Sequence, residues 1–208
     1  MKWLKWYDMV APLYDRAINR TYLPYRQVVV QALHLQPCLT IMDIGCGTGL
    51  NFELILSAIG TQGTLIGIDS SIKMLNRARQ KVDRQSWRNV HLLQLDARKL
   101  TRNDLEALTG SSIIIDSIIC TLGFSVFPDW QAVFERSFNL LESGGRYCVM
   151  DIFNDKVTFR TRIVSILANS DNTRRVWEPL KKRCENYSEE TYPMTHGDIV
   201  VVASGTKS

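Results

Sequence analysis

The sequence predicts an α/β domain built on a mainly parallel sheet. Three observations support this fold class. Short β-rich runs alternate with helical stretches along the chain, a glycine-rich turn follows the first buried run, and an aspartate stands at or near the end of each of the first three runs. Strands that alternate with helices are typical of parallel sheets with helices on both faces.

The predicted strands are short apolar runs bounded by turn residues. In chain order they are Thr40–Ile44, Thr64–Asp69, Val90–Leu95, Ile113–Cys120 and Arg146–Ile152. A further strand is expected in "GDIVVVASG", residues 197–205, after a basic helical stretch. These segments form the core of the predicted sheet.

Helical segments are predicted between the strands, near Leu50–Ile59, Ser71–Arg84, Arg102–Leu108 and Asp129–Leu141. Ser71 and Asp129 are typical helix starts, and "ESGG" at 142–145 is a typical stop. We therefore predict one domain over 1–208, with a helical cap at 1–39, a cofactor-binding core at 40–152 and substrate-side helices and last strands at 153–208.

Composition indicates a soluble globular protein, because 45% hydrophobic and 22% charged residues is an ordinary balance. The sequence contains no apolar run of the roughly 18 residues needed to span a membrane. The N-terminus has no uninterrupted signal-peptide core, since Lys2, Lys5 and Asp8 interrupt its aromatic residues. We expect a cytoplasmic protein.

The cysteines and histidines predict neither disulfides nor a metal site. The five cysteines are scattered and form no C-x-x-C pair, and the three histidines are far apart. This spacing favours reduced thiols in a reducing compartment and no structural metal.

The net charge of +4 is concentrated in one segment. Eight bases lie between Lys156 and Arg183, opposed there only by Asp171 and Glu178. This segment is either a solvated helical face or a patch that contacts anionic lipid or an acidic substrate. Peripheral contact with an anionic membrane is therefore one hypothesis.

The glycine-rich turn "DIGCGTG", residues 43–49, predicts a ligand that approaches main-chain N–H groups closely. A nucleotide triphosphate loop requires G-x-x-x-x-G-K-[ST], which is absent, and in a dinucleotide loop the third glycine would come one residue later than Gly49. Asp43 would repel a pyrophosphate and attract an ammonium or sulfonium. S-adenosylmethionine (SAM) carries both of these cations and no phosphate.

Two further acids support SAM as the ligand. Asp69 ends the second strand, about 20 residues after the glycine loop, where a carboxylate accepts hydrogen bonds from ribose hydroxyls. Asp96 lies in "LDA" at the end of the third strand, where it would accept from the adenine amino group while Ala97 leaves room for the ring. Each aspartate alone is also typical of a helix cap or turn.

The stretch from about residue 7 to 151 resembles the class I SAM-dependent methyltransferases. It is most similar to the branch with the ubiquinone and menaquinone C-methyltransferases and the bacterial phosphatidylethanolamine N-methyltransferases. The resemblance depends on "WYDMVAPLYD" (6–15), "IMDIGCGTG" (41–49), "GIDSSIKMLNRAR" (67–79), "LDA" (95–97) and "LESGGRYCVMD" (141–151). It implies a seven-stranded, Rossmann-like sheet with the last strand antiparallel.

The same resemblance implies the cofactor contacts. They are Tyr7, Tyr14, Asp43, Gly45, Cys46, Gly47, Gly49, Asp69, Ser70, Met74, Asp96, Ala97 and Cys120. Ser70 and Met74 would flank the adenine, the Cys120 backbone would lie near the methionine end, and the two tyrosines would close over the cofactor. The sequence "DRAINRTYLPYRQ" after the second "YD" departs from the quinone enzymes, which puts a quinone substrate in doubt.

Methyl transfer from a sulfonium depends mainly on alignment and water exclusion. The sequence predicts no catalytic residue with certainty, although His34 and His196 are candidate bases. "DSIICTLGF" at 116–124 lacks the Asn-Pro-Pro-Tyr or Asp-Pro-Pro-Tyr turn of methyltransferases that act on nucleobases, so no nucleic-acid partner is expected.

The leading hypothesis is a methyltransferase for a small, lipid-like or amphiphilic acceptor, whose Trp-rich N-terminus and basic segment 156–183 face a membrane interface. S-adenosylhomocysteine (SAH) would be the second product. The alternatives are a methyltransferase for a soluble metabolite and a SAM-binding protein without catalysis. A nicotinamide oxidoreductase is the alternative from a different enzyme class.

Overall fold

The computed structural model describes residues 20–154, 170–194 and 198–208. Its elements, in chain order, are α1 (20–32), β1 (Thr40–Ile44), α2 (Phe52–Ile59), β2 (Thr64–Asp69), α3 (Ile72–Gln85), β3 (Val90–Gln94), a 3₁₀ turn (Ala97–Lys99), α4 (Arg102–Thr109), β4 (Ile115–Thr121), α5 (Trp130–Leu140), β5 (Leu141–Phe153), α6 (Glu178–Arg183), β6 (Cys184–Pro193) and β7 (Ile199–Lys207).

The seven strands form one sheet in the order β3-β2-β1-β4-β5-β7-β6. The pairs among β1 to β5 are parallel, whereas β7 is antiparallel to both β5 and β6. Only β7 therefore runs against the others. The predicted α/β class, the seven strands and the antiparallel last strand are confirmed.

Helices cover both faces of the sheet. One buried cluster joins it to α1, α2 and α3 through residues such as Val29, Ile55 and Leu75. The other joins the opposite face to α4, α5 and α6 through Leu105, Phe134 and Leu180. The strands between these layers are apolar on both sides, as expected for a buried parallel sheet.

Local signals set the helix boundaries. The Ser71 side chain accepts from the Met74 N–H at the start of α3, and Thr101 and Asp104 form a reciprocal capping box at the start of α4. Helix α5 ends at Leu140, before the predicted "ESGG" stop, and β5 begins at once. No described helix is long and apolar enough to cross a membrane.

Candidate cofactor and methyl-transfer site

A cavity opens at the carboxyl ends of the central strands. It encloses about 800 Å³, counting its open mouth. From β1 the strand order proceeds to β2 and β3 on one side, and from β4 it proceeds to β5 on the other. Open α/β sheets bind ligands at the point where the strand order reverses in this way. The lining residues are Gly45, Gly47, Ile68, Asp69, Ser70, Ser71, Met74, Leu95, Asp96, Ala97, Arg98, Thr121, Leu122, Gly123, Val126, Phe127, Pro128 and Val133.

The three glycines of the loop have positive φ and different surroundings. A Cβ on Gly47 would meet no atom of the described residues within 4 Å, so this glycine leaves open space on the cavity wall. A Cβ on Gly49 would lie 2.6 Å from the Phe52 ring, which makes Gly49 a packing position. Gly45 lies against the ring of Phe127, with 2.8 Å between its ideal Cβ and Cζ. Of these three glycines, Gly45 and Gly47 line the cavity and Gly49 does not.

Asp69 joins the end of β2 to the glycine loop. Its Oδ2 accepts from the Gly47 N–H at 2.9 Å, and its Oδ1 accepts from the Ser71 N–H at 2.8 Å. These bonds fix the carboxylate at the cavity wall, beside the predicted adenine-flanking residues Ser70 and Met74. The placement suits an acceptor for ribose hydroxyls.

Asp96 and Ala97 follow β3 in the chain, and both line the cavity. Its carboxylate accepts from the backbone N–H of Arg98 at 3.0 Å and from the Arg98 guanidinium. The hydrogen bond from that guanidinium holds the pKa of Asp96 below its usual range. Arg98 also lines the cavity, and sequence reasoning missed it although it follows "LDA" directly.

Asp43 is fully buried beside the cavity and does not line it. Its Oδ2 accepts from the Asn51 side-chain amide at 2.9 Å, whereas the buried Oδ1 has no hydrogen-bond partner among the described residues. Burial raises the pKa of this carboxyl to about 7, although Asn51 and Arg26 act in the opposite direction. A carboxylate with an unsatisfied oxygen suits a nearby ammonium group.

A buried arginine from α1 reaches the same place. The Arg26 guanidinium donates to Asn51 Oδ1 at 2.7 Å and to Thr121 Oγ1 at 2.9 Å, and Thr121 lines the cavity. Arg26 is only 4% exposed. Sequence reasoning missed it, and the only available signal is a single charge next to the apolar run at 28–30.

The loop 122–128 after β4 forms the opposite wall of the cavity. The Arg174 guanidinium holds this loop by donating to the carbonyl oxygens of Phe124 and Phe127, at 2.9 and 2.7 Å. Asp151 at the end of β5 accepts from the Ser125 N–H at 2.9 Å. Two distant segments of the chain therefore fix this wall.

The predicted site residues divide into three groups. Seven line the cavity together: Gly45, Gly47, Asp69, Ser70, Met74, Asp96 and Ala97. Four lie behind its wall: Asp43, Cys46, Gly49 and Cys120. Tyr7 and Tyr14 lie outside the described residues. Burial raises the pKa of both cysteine thiols, so neither is poised as a thiolate.

The cavity residues fit SAM better than a phosphate ligand. The ionisable side chains on its wall are Asp69, Asp96 and Arg98, and the arginine is paired with Asp96. A wall with this charge disfavours a pyrophosphate and suits an adenosyl group with cationic ends. The open space at Gly47 and the unpartnered oxygen of Asp43 agree with that fit.

Comparison with known proteins gives the same class. A family model described as "Methyltransferase domain" matches residues 35–199, and the chain belongs to this family. With its fold and cavity, it is a class I SAM-dependent methyltransferase domain.

Curated relatives share limited identity. A demethylmenaquinone methyltransferase of Listeria welshimeri is 24% identical over 151 residues, which are 71% of this chain and 61% of that protein. A 2-phytyl-1,4-naphtoquinone methyltransferase of Thermosynechococcus vestitus is 28% identical over 149 residues, 70% of this chain and 62% of that protein. The chain thus spans about three fifths of the length of these relatives.

Two solved structures share the fold. Phosphoethanolamine N-methyltransferase 2 of Haemonchus contortus, in complex with SAM, matches with a TM-score of 0.71 at 12% identity, over 88% of this chain and 52% of that one. Geranyl diphosphate C-methyltransferase of Streptomyces coelicolor matches with a TM-score of 0.70 at 10% identity, over 91% and 80%.

Proposed function

We propose that the protein transfers the methyl group of SAM to a small, lipid-like acceptor and releases SAH and a proton. The observation that supports SAM as the methyl donor is the cavity itself, where the glycine loop, Asp69 and Asp96 lie together at one edge of the sheet. When bound, SAM supplies an electrophilic methyl group on a sulfonium that is already a good leaving group.

The side chains of the cavity have distinct proposed roles toward SAM. Asp69 accepts from the ribose hydroxyls, Asp96 and Ala97 contact the adenine edge, and Met74 packs on the ring. Gly45 and Gly47 let the cofactor approach the backbone. Asp43 compensates the ammonium group from behind the loop.

The acceptor is proposed to be apolar. Ile68, Leu95, Leu122, Val126 and Phe127 make up much of the cavity wall. The lining residues in the described part of the chain include no histidine, lysine, cysteine or tyrosine that could act as a strong base. Alignment and exclusion of water are proposed to supply much of the rate, with an acceptor that is nucleophilic by itself.

The names of the relatives support the lipid-like class and suggest a first candidate. A prenylated naphthoquinone in its reduced form has an electron-rich ring carbon that can attack a methyl cation equivalent, followed by loss of the ring proton. The soluble-metabolite alternative keeps the same cofactor site, and a non-catalytic SAM-binding protein would form no product.

The test uses methyl-labelled SAM. The full chain is incubated with a total lipid extract, with an aqueous metabolite extract, and with 2-phytyl-1,4-naphthoquinone reduced by dithionite. Protein-dependent label in the organic phase is expected. Label confined to the aqueous phase would contradict a lipid-like acceptor and favour a soluble metabolite. SAH binding without label in either phase would favour the non-catalytic alternative.

Peripheral contact with an anionic membrane is a separate part of the proposal. Much of the basic segment 156–183 and all of 1–19 lie outside the described residues. Two described bases of the segment make contacts within the protein, since Arg174 holds the 122–128 loop and Arg183 forms a surface ion pair with Glu135. Deletion of residues 1–7 is expected to weaken binding to phosphatidylserine vesicles. Unchanged binding would contradict the proposed contact between the N-terminus and an anionic membrane.

A further inference from the structure

Leu122, the first residue after β4, has an unusual backbone conformation. Its φ is +56°, in the left-handed region that leucine rarely adopts. Its N–H donates to the Met150 carbonyl of β5 at 2.7 Å, which holds the conformation in place. Five described residues other than glycine have positive φ, and Leu122 is the only one of them that lines the cavity. Such strain is concentrated at functional sites.

The Leu122 side chain borders two regions. It lines the cofactor cavity, and it packs against the core cluster between the sheet and α1. Half-buried apolar residues pack against the same cluster at the carboxyl end of β5. We call Tyr25, Ile152, Tyr192 and Met194 the apolar row.

Three members of the apolar row are linked through neighbouring elements. Ile152 of β5 pairs with Val200 of β7, which pairs with Tyr192 of β6. The Tyr192 ring lies 5.4 Å from the ring of Tyr25 on α1. Because Met150 precedes Ile152 on the same face of β5, its carbonyl bond to Leu122 places the leucine at one end of the row.

The charges beside the row favour a neutral ligand. Glu190 accepts from the Tyr192 hydroxyl, and the Asp198 backbone oxygen accepts from the Met194 N–H at 2.8 Å. The Glu190 carboxylate, held at the Tyr192 hydroxyl, would repel an acceptor that carries a phosphate or carboxylate beside this part of the row. A flat, uncharged, apolar body is the chemistry that fits.

From these relationships we infer that Leu122 is a specificity-determining residue for the methyl acceptor. Its strained backbone directs the side chain to the boundary between the cofactor cavity and the apolar row, and the row holds the lipophilic body of the acceptor. This inference rests on the proposed function and names the residues that select its substrate class. Nothing in the fold alone requires leucine there, because glycine or asparagine adopts the same φ with less strain.

The test compares Leu122→Gly, Leu122→Asn and Leu122→Met with a matched control, Ser86→Gly. Ser86 has a φ of +55° at the exposed end of α3, so its glycine variant removes a similar strain far from the cavity. The probe is 2-phytyl-1,4-naphthoquinone reduced by dithionite. Thermal midpoint, SAH affinity by calorimetry, and KM and kcat for the probe are measured on the full chain.

The variants are expected to separate stability from specificity. Ser86→Gly should raise the midpoint by about 2–4 °C and leave the probe kinetics unchanged. Leu122→Gly and Leu122→Asn should keep SAH affinity within about threefold, yet raise KM for the probe about tenfold or more, because a buried apolar contact is lost. Leu122→Met should stay close to wild type, since it restores an apolar side chain of similar size.

Two results would overturn the inference in distinguishable ways. Wild type that methylates the probe, with unchanged KM in folded Leu122→Gly or Leu122→Asn, would remove the role of Leu122 alone. Wild type that binds SAH but forms no organic-phase product from either the probe or the total lipid extract would overturn the proposed acceptor class, and the role of Leu122 with it.

Discussion

The carboxylate of Asp69 accepts a hydrogen bond from the backbone N–H of Gly47 at 2.9 Å. The end of β2 therefore holds the glycine loop that follows β1. The other oxygen of the same carboxylate accepts from the Ser71 N–H at the start of α3. The Asp69 side chain thus fixes both the glycine loop and the start of α3 at the predicted adenosine site. Loss of this carboxylate should therefore disturb the loop and weaken ligand binding together.

Replacement of Asp69 by alanine should cost roughly 2 kcal/mol or more of SAM affinity. The ribose hydroxyls lose a charged acceptor, and the Gly47 N–H loses its partner. Titration calorimetry with SAM or SAH measures the change, and Asp83→Ala on the exposed face of α3 is the control for loss of one carboxylate. Equal affinity for Asp69→Ala and wild type would mean that the ribose lies elsewhere.

Gly47→Ala should separate folding from cofactor binding. The new Cβ meets no atom of the described residues within 4 Å, so the expected loss of stability is that of the φ of +56°, about 1–2 kcal/mol. The methyl group would project into the space proposed for the cofactor, and SAH affinity should fall about tenfold or more. SAH titration together with urea unfolding tests both statements.

Gly110→Ala is the matched control for that variant. Gly110 has a φ of +75° at the end of α4, and a Cβ there would also meet none of the described atoms within 4 Å, but Gly110 does not line the cavity. It should lose similar stability and keep full SAH affinity. If both alanine variants retain affinity, the cofactor does not approach Gly47.

Much of the fold follows from local sequence. The bounds predicted for β1 and β2 match the structure residue for residue, because each is a buried apolar run ended by a turn. Strand β6 (Cys184–Pro193) was not predicted as a strand. Its exposed edge carries Glu185, Glu189 and Glu190, and it is ordered by pairing with β7, a relationship that no local pattern reveals.

The candidate site is only partly predictable for the same reason. Glycines and aspartates at strand ends can be predicted from the sequence because they adjoin a recognisable turn. Arg26, Leu122 and Arg174 do not, since each reaches the site through tertiary contacts with distant segments. Strand β4 also runs one residue past its predicted end, to Thr121, so the cavity wall begins after Cys120.

Arg174→Gln should loosen the wall formed by the 122–128 loop. The carbonyl oxygens of Phe124 and Phe127 would lose their charged donor, at a cost of about 1–3 kcal/mol in the free energy of unfolding. SAH affinity should fall as well, because the Phe127 ring lies against Gly45 and both residues line the cavity. Urea unfolding and SAH titration measure the two effects.

The neighbouring Arg175 provides the control for Arg174. Its guanidinium lies over the Phe153 ring, 5.4 Å from the centroid, and makes no described contact with the 122–128 loop. Arg175→Gln removes the same charge and should leave SAH affinity unchanged. Equal losses in both variants would attribute the effect to net charge and not to the loop.

The buried carboxyl of Asp43 should make stability depend on pH in an unusual direction. Burial raises its pKa from 3.8 to about 7, so between these values the folded state binds a proton that the unfolded state has released. The contribution of this group to the free energy of unfolding is therefore fully present below about pH 4 and is lost as pH rises to about 7. The expected loss is about 4 kcal/mol.

Asp43→Asn removes this titration, so the stability of the variant relative to wild type should increase as pH rises across that range. Urea unfolding at several pH values tests the prediction, with Asp83→Asn as the control for net charge, and a curve for Asp43→Asn parallel to that of wild type would contradict the raised pKa.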